Sequence, residues 1–296
     1  MGIPESQLET WSHQGSVTQS SQTYQSVKSV LESNTAPYAN RGFEIFLQGS
    51  YGNDTNIYAE SDVDIVIRLD STFYQDISRL PPDQQALYKS SFSDATYQLS
   101  DFKSEVVSVL KEAYGNDVTV GKKAIQINAR NGRRKTDVLV CSQFRNYQSF
   151  YSTYNQSFIE GIKFYTADGV EIINYPKIHS RNLTQKHQQS GNYFKPVVRI
   201  LKNMRSHMVS ERLIADGLAP SYYLEGLFYN VPVNQFGQSY ENSVINSINW
   251  LLNADQGKFV CANEQYYLCH PTDHVTWRTE NMTKFLNGVV QLWNQW

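Results

Sequence analysis

The chain has 296 residues, of which 40% are hydrophobic and 13% aromatic, enough to bury the core of one large domain or two smaller ones. Its formal net charge of −2 argues against a strong overall attraction to duplex nucleic acid and favours small or nucleotide-sized substrates. The apolar runs are too short to span a membrane and the N-terminus lacks a signal-peptide pattern, so we expect a cytoplasmic protein.

Three cysteines, Cys141, Cys261 and Cys269, are an odd number at spacings that favour reduced thiols over a disulfide framework. Cys261, Cys269, His270 and His274 could supply four zinc ligands, but their spacing matches no common zinc finger. We therefore interpret them as partly buried thiols and surface histidines.

The first half of the sequence alternates between helical and strand-like patterns. Tyr24, Val27 and Leu31 recur at helical spacing and predict a helix from Ser20 to Leu31. The segments FEIFLQG and DVDIVIRL predict strands, and the apolar face of residues 101–114 predicts a second helix. An Asn-Gly pair at 131–132 and an Asp-Gly pair at 168–169 predict turns between further strands. This order predicts an α+β fold with a mixed sheet and helices packed on it.

After Pro176 the pattern becomes helical. Helices are predicted in the segments YFKPVVRILKNMRSHM, SYYLEGLFYNV, SVINSINWLLN and MTKFLNGVVQLWNQW. The last of these carries one apolar stripe, predicted to be core, formed by Met282, Phe285, Leu286, Val289, Trp293 and Trp296. We therefore divide the chain into residues 1–175, which hold the sheet and an N-terminal helix, and residues 176–296, a helical lobe.

Two aspartates separated by one residue occur in the strand-like run SDVDIVI. Because side chains alternate along a strand, Asp62 and Asp64 point to one face while Val63 and Ile65 face the core. Two like charges repel each other unless a divalent cation bridges them, and Mg²⁺ prefers carboxylates together with phosphate oxygens and water. Asp137, which precedes its own apolar run in KTDVLV, is placed to supply a third carboxylate for a two-metal site.

A Gly-Ser pair precedes these aspartates, with eleven residues between Ser50 and Asp62. Gly49 after a strand permits close approach of the backbone, and Ser50 offers an N–H and a hydroxyl to a phosphate. Two aspartates alone on a strand are more often a solvated face. The Gly-Ser pair at this spacing and the third aspartate favour a functional site that holds phosphate and metal.

These residues resemble the signature of polymerase-β-like nucleotidyltransferases, which is Gly-Ser, eleven residues, then Asp-Val-Asp-Ile. From Phe43 to Pro232 the chain resembles, more narrowly, the bacterial cGAS/DncV-like nucleotidyltransferases, the signalling synthases of phage defence. The segments that carry this resemblance are QGSYGNDTNIYAESDVDIVIRL, GRRKTDVLV, YFKPVVRILKNMR and PSYYLEGLFYNVP. The last sixty or so residues match by helical character only.

The resemblance implies a two-lobed polymerase-β-like fold with a cleft between the lobes, in which Asp62, Asp64 and Asp137 hold two Mg²⁺, or Mn²⁺, ions. In such enzymes the metals activate a ribose hydroxyl and stabilise charge on the α-phosphate of a second nucleotide, and pyrophosphate leaves. Lys202 matches a family lysine that contacts the triphosphate, and Ser221 matches a phosphate-contacting serine.

Residue types alone leave alternatives for Lys202 and Ser221. Lys202 shares a helix face with Lys195 and Arg199, and such a basic stripe is usually solvent-facing. Ser221 precedes an apolar helix whose free N–H groups favour an anion, but a serine after proline is usually an N-cap.

The resemblance also bears on the base that is used. Asn182 lies in a segment similar to the branch that makes pyrimidine-containing cyclic dinucleotides, in which an asparagine near this position faces a base. Its amide could pair with uracil, cytosine or adenine, or could simply fix a turn. Gln48 and Lys186 complete the expected substrate-binding set. His179 and His187 are interpreted as surface residues, because metal-assisted phosphoryl transfer requires no histidine.

We therefore expect a metal-dependent nucleotidyltransferase that joins nucleoside triphosphates, UTP with ATP or GTP, into a cyclic di- or oligonucleotide messenger in anti-phage signalling. Two alternatives use the same signature: a transferase that modifies an antibiotic or a protein, and a catalytically inactive nucleotide- or RNA-binding relative, against which the three aspartates argue. The resemblance further implies an effector protein encoded alongside and activated by the product. We expect a monomer with no membrane association and no requirement for DNA.

Overall fold

Helices form where the apolar residues recur at a period of about 3.6, and strands form where they alternate with polar residues. The computed structural model describes residues 2–58, 62–273 and 275–296. None of the helices within these ranges is both long enough and apolar enough to cross a bilayer.

The chain divides into two units, each described here by itself. The sheet unit consists of residues 19–47 and 62–176, and the helical unit consists of residues 1–18, 48–61 and 177–296. The helical unit thus takes in two segments from the first part of the chain. The predicted division into domains 1–175 and 176–296 stays a prediction.

The sheet is mixed. Its strands, within the described residues, are β1 (Phe43–Gln48), β2 (Val63–Asp76), β3 (Val118–Val120), β4 (Ile125–Ile127), β5 (Thr136–Ser152), β6 (Asn155–Tyr165) and β7 (Glu171–Asn174). Strand β2 lies between β1 and β5 and is parallel to β5, whereas β4 and β6 are antiparallel to β5. The short strands β3 and β7 extend the sheet beside β4 and β6. The predicted α+β class is confirmed.

The helices fall into two groups. Those of the sheet unit are α2 (Thr18–Leu31), α4 (Pro82–Ser91) and α5 (Leu99–Tyr114). Those of the helical unit are α1 (Glu5–Ser12), α3 (Gly49–Gly52), α6 (Pro176–Gln189), α7 (Phe194–Ser210), α8 (Ser221–Tyr229), α9 (Tyr240–Asn253) and α10 (Thr279–Gln295). The predicted helices at 20–31 and 101–114 correspond to α2 and α5, and the four predicted after Pro176 correspond to α7 to α10.

Strand β2 is the central strand on which the predicted carboxylates lie. Ile65, Val66 and Ile67 are all fully buried, so both faces of the strand are covered, as is typical of a parallel pair. The strand continues past the predicted end at Leu69, after a register shift relative to β5 between Leu69 and Phe73.

Both predicted turns are present. Asn131 and Gly132 have φ angles of 51° and 82°, the left-handed region that such a turn requires, and Arg130 bridges Arg133 across it. Gly169 has a φ of 81° between β6 and β7. The first turn lies between the antiparallel strands β4 and β5, and the second lies between the antiparallel strands β6 and β7.

The apolar stripe on α10 is largely core. Met282, Phe285, Leu286 and Val289 are buried beside residues of α7 and α8. The prediction is wrong for Trp296, which is 40% exposed. It lies past the last helical residue and contacts the ring of Trp11 edge-on, with centroids 5.3 Å apart.

Phe285→Ala should lower the free energy of unfolding by about 3–5 kcal/mol, because it leaves a cavity in a fully buried position. Its exposed neighbour Lys284 serves as the control, and Lys284→Ala should change that free energy by less than about 0.5 kcal/mol. Urea unfolding followed by circular dichroism measures both. Equal, small effects would show that α10 does not contribute to the core.

Candidate active site

The predicted carboxylates of the sheet unit lie together on two neighbouring strands. Asp64 on β2 and Asp137 on β5 are direct partners in the parallel register, so their side chains share one face of the sheet. Asp62 immediately precedes β2, two residues before Asp64, and is therefore on the same side. The three predicted residues thus lie on one face of the sheet, and their role in metal binding stays a prediction.

A lysine lies among these carboxylates. Lys135 Nζ is 2.8 Å from Asp62 Oδ2, and the two side chains are 40% and 44% exposed. The hydrogen bond to Asp62 raises the pKa of Lys135, and the charges of Asp62, Asp137 and Asp64 act in the same direction. The ammonium group thus lies where positive charge is stabilised by three carboxylates. Sequence analysis did not single out Lys135, although it is two residues before Asp137.

Asp137 lies in surroundings that disfavour its ionised form. Burial raises the pKa of Asp137, and the negative charge of Asp62 raises it further. The positive charge of Lys135 and a hydrogen bond from Gln126 act in the opposite direction. Its Oδ1 atom is buried and has no hydrogen-bond partner among the described residues. A buried acceptor without a donor is costly, and a cation would relieve that cost.

The carboxylates do not form a complete metal cage on their own. Across residues 2–58, 62–273 and 275–296, no group of three or more His, Cys, Asp or Glu side chains is arranged to hold a metal ion. The cysteine and histidine cluster considered above includes Cys261, which is buried, and Cys269, which is partly buried. His274 of that cluster lies outside the described residues.

The Gly-Ser pair begins a tight loop in the helical unit. Gly49 has a φ of 68°, which glycine adopts without steric cost, and it starts the single turn α3 directly after β1. The Asn53 N–H donates to Gly49 O at 3.0 Å and the Thr55 N–H to Ser50 O at 2.9 Å. The loop is thus folded on itself. Gln48, another predicted substrate contact, is the residue before it and is partly buried.

Lys202 reaches this loop from α7 and is completely buried. Its Nζ donates to Ser50 Oγ at 2.8 Å, to Thr55 Oγ1 at 3.0 Å and to Glu225 Oε1 at 3.1 Å. The alternative of a solvent-facing lysine is therefore wrong. The structure joins the predicted residues Ser50 and Lys202, and it adds Glu225, which sequence analysis missed.

The rest of the basic stripe on α7 also faces residues of the helical unit. Lys195 is 5% exposed and its Nζ is 2.9 Å from Asp54 Oδ2. Arg199 donates from Nε to Ser12 O and from Nη1 to Asp54 O. The stripe therefore fastens the loop that contains Ser50 to α7.

Glu225 on α8 balances the charge of Lys202. Burial disfavours its ionised form, but Lys202 and His179 more than offset this effect and keep the pKa of Glu225 below its usual range. His179 is 3% exposed and its Nε2 is 2.8 Å from Glu225 Oε2, so the expectation of a surface histidine is wrong. Glu225 is the single acidic residue within the apolar run YYLEGLFY, and a charge isolated in this way could have indicated a buried carboxylate.

Ser221 is the first residue of α8 and Pro220 is the N-cap, so the alternative in which Ser221 caps the helix is wrong. Its hydroxyl accepts a long hydrogen bond, 3.4 Å, from Nη1 of Arg205, which also donates to Ala219 O at 2.7 Å. Arg205 thus sets positive charge beside Ser221, an arrangement that suits an anion. Sequence analysis did not single out Arg205.

Asn182 and Lys186 lie on α6, so the alternative in which Asn182 fixes a turn is wrong. Asn182 is 6% exposed and its Nδ2 donates to Ala262 O at 2.8 Å. Lys186 donates from Nζ to Tyr229 O at 3.0 Å, and burial lowers the pKa of Lys186 to about 8. Both line a polar cavity of 590 Å³, whose other lining residues are Arg181, Gln185, Gln189, Tyr229, Asn230 and Glu264.

Comparison with known proteins supports the family suggested by these residues. Residues 181–294 match the family model of the cGAS/DncV-like nucleotidyltransferase C-terminal helical domain. The chain is 36% identical to the cyclic nucleotide synthase CdnE01 of Staphylococcus haemolyticus over 303 residues, covering all of both chains. It is 37% identical to the cyclic UMP-AMP synthase of Rhodothermus marinus over 298 residues, covering all of this chain and 99% of the relative.

Solved structures agree. The Rhodothermus marinus c-UMP-AMP synthase with Apcpp and Upnpp superposes with a TM-score of 0.89 at 37% identity, over 99% of this chain and 97% of the other. The Elizabethkingia meningoseptica cyclic dinucleotide synthase with GTP and Apcpp gives a TM-score of 0.75 at 31% identity, over 99% and 98%. The chain therefore belongs to the cGAS/DncV-like nucleotidyltransferases and is an enzyme of that class.

Proposed function

We propose that this enzyme joins nucleoside triphosphates, one of them UTP, into a cyclic dinucleotide or short cyclic oligonucleotide with release of pyrophosphate. The observation that carries the proposal is the register of β2 and β5, in which Asp64 pairs with Asp137. Asp62, two residues before Asp64, lies on the same side. The cyclic nucleotide synthases among its full-length relatives support the same reaction.

The three aspartates would hold divalent metal ions, on which enzymes of this family generally depend. The residues fit such ions, because Asp137 has a buried oxygen with no hydrogen-bond partner among the described residues, and the ammonium of Lys135 already lies beside Asp62. Carboxylates with phosphate oxygens and water are the ligands that Mg²⁺ prefers, and Mn²⁺ accepts the same set. When bound, the ions would favour deprotonation of the attacking hydroxyl and neutralise charge on the phosphates.

The remaining residues would bind and orient the nucleotides. Ser50, whose oxygen accepts from Lys202, and Ser221 beside Arg205 would contact the triphosphate, and the Gly49 backbone permits close approach. Gln48, Lys186 and Asn182 would contact the nucleoside. A monomer would suffice for this chemistry, and we expect no stimulation by DNA.

The product would be a second messenger in anti-phage defence, activating an effector protein encoded alongside the enzyme. Such a role suits an enzyme whose substrates are ordinary cellular nucleotides, since the signal then depends on switching the enzyme and not on supplying a rare precursor.

Incubation with all four labelled nucleoside triphosphates and Mg²⁺ or Mn²⁺, without any acceptor, tests the proposal. A phosphatase-resistant product that contains only nucleotides is expected, and mass spectrometry identifies it. Transfer of a nucleotide only when an antibiotic or a protein is supplied would contradict the proposal, as would the absence of any turnover.

Changing Asp64 or Asp137 to Asn should lower the rate of product formation by roughly 100-fold or more, because a developing charge loses its counter-ion. The fold should persist, since the change removes repulsion between neighbouring carboxylates. Asp83→Asn, at an exposed position of α4, is the matched control. Near-normal turnover of Asp64→Asn at an unchanged melting temperature would refute the metal-binding assignment.

Ser50→Ala and Ser221→Ala should raise KM for the triphosphates more than they lower kcat, because they remove contacts made equally in the ground and transition states. Ser210→Ala, at the exposed end of α7, should leave both constants unaltered. Steady-state kinetics with one nucleotide varied at a time gives the two constants. An unchanged KM in both variants would show that neither serine contacts the phosphates.

Asn182→Ser should weaken the use of UTP by about 1 kcal/mol, the value of one lost hydrogen bond, with little effect on the partner nucleotide. One N–H of Asn182 Nδ2 is engaged by Ala262 O, and Oδ1 accepts a long hydrogen bond of 3.4 Å from Arg181 Nε. The second N–H and the second lone pair of Oδ1 are the groups that the amide would offer to O4 and N3–H of uracil. Product analysis in equimolar UTP, CTP, ATP and GTP measures the change, with Gln188→Ser on the exposed side of α6 as control. A wild-type product made only of purines would contradict the uridine assignment.

A further inference from the structure

Glu225 receives an unusual number of hydrogen bonds for a completely buried carboxylate. Asn53 Nδ2 donates to it at 3.0 Å, His179 Nε2 lies at 2.8 Å, Lys202 Nζ at 3.1 Å, and the Thr55 hydroxyl also donates to it. These donors come from the Ser50-containing loop, from α6 and from α7, and Glu225 itself from α8. One carboxylate thus ties together the parts of the helical unit that surround Ser50.

The same arrangement fixes the direction of the Ser50 hydroxyl. A lysine ammonium only donates hydrogen bonds, so in the 2.8 Å contact with Lys202 the Ser50 oxygen must be the acceptor. The hydroxyl proton is therefore not used in that contact, and no acceptor for it occurs in the part of the chain that the structure describes. It remains available to an anion.

The charge balance argues against a direct attraction of the triphosphate by Lys202. Its ammonium is fully buried and lies against the ionised carboxylate of Glu225, so the pair carries little net charge. Its three donors also meet three acceptors, Ser50, Thr55 and Glu225. The contribution of Lys202 is then directional: it holds and polarises the oxygen of Ser50.

We propose that Glu225 is a positioning residue, which acts through Lys202 and Thr55 to orient the Ser50 hydroxyl towards a phosphate of the bound nucleoside triphosphate. This inference rests on the proposed function and refines the role of Lys202. The buried hydroxyl of Thr55 connects the two charged residues, because it accepts from Lys202 and donates to Glu225. Since it is uncharged, its removal leaves both charges in place.

The test is calorimetric binding of non-hydrolysable UTP and ATP analogues, with Mg²⁺ present, to the full chain. Glu225→Gln places amide protons among four donors and should weaken binding about tenfold or more, but it could also unfold the protein. Thr55→Val is nearly isosteric, removes only the hydroxyl, and should raise Kd about tenfold at an unchanged fold. Thr55→Ser keeps the hydroxyl and should restore binding to within about twofold of the wild type.

A double-mutant cycle with Ser50→Ala separates positioning from general support of the fold. If Thr55 acts through Ser50, Thr55→Val should have almost no further effect on Kd in the Ser50→Ala background. Additive effects, or equal Kd for Thr55→Val and the wild type, would overturn the inference. Failure of the wild type to bind either analogue would instead overturn the proposed function.

Discussion

The parallel pairing of β2 with β5 is the constraint on which the carboxylate site depends. Adjacent parallel strands keep register partners on the same face, so the pairing of Asp64 with Asp137 follows from the hydrogen-bond ladder and needs no special side-chain contact. The ladder is secured on the other side of β5, where β4 covers its first part and β6 its later part. A slip by one residue would turn Asp137 away from Asp64 and put Thr136 or Val138 in its place.

The helical unit depends on a different interaction, a buried charge pair. Burying Lys202 or Glu225 alone would be prohibitive, and breaking such a pair by removing one partner typically costs about 3–5 kcal/mol. Here the carboxylate has three further hydrogen-bond partners, Asn53, Thr55 and His179, so its burial is compensated by hydrogen bonds as well as by charge. Replacement by well-packed apolar residues could give equal stability. The ionic arrangement therefore makes most sense as a device that fixes donors around Ser50.

Relatives that share a similar identity with this chain are named for different bases. The full-length relatives include a cyclic UMP-AMP synthase, and a further relative at 36% identity over 80% of the chain is a cyclic dipurine nucleotide synthase. An amide such as that of Asn182 can present either its donor or its acceptor to a base. In this structure one N–H of the Asn182 amide is engaged by Ala262 O, and its Oδ1 accepts a long hydrogen bond from Arg181 Nε, so both ends of the amide already have one partner.

The sequence by itself determined the local features. The period of two along β2 put Asp62 and Asp64 on one side, the Gly-Ser spacing suggested phosphate binding, and the glycine turns at 132 and 169 marked the hairpins. The sequence also predicted the buried apolar stripe of α10, except at Trp296, which lies past the end of the helix. Each of these depends on residues within a few positions of one another.

Only the tertiary structure decided which distant groups meet. No spacing rule places Lys135 beside Asp62, or Glu225 and His179 beside Lys202, because such contacts depend on how strands and helices pack. The sequence predicted His179 at the surface because metal-assisted phosphoryl transfer requires no histidine, and it gave no prediction for Glu225. Both are buried because each supplies the charge or the donor that the other needs, and whether a polar group can be buried is determined by its partners.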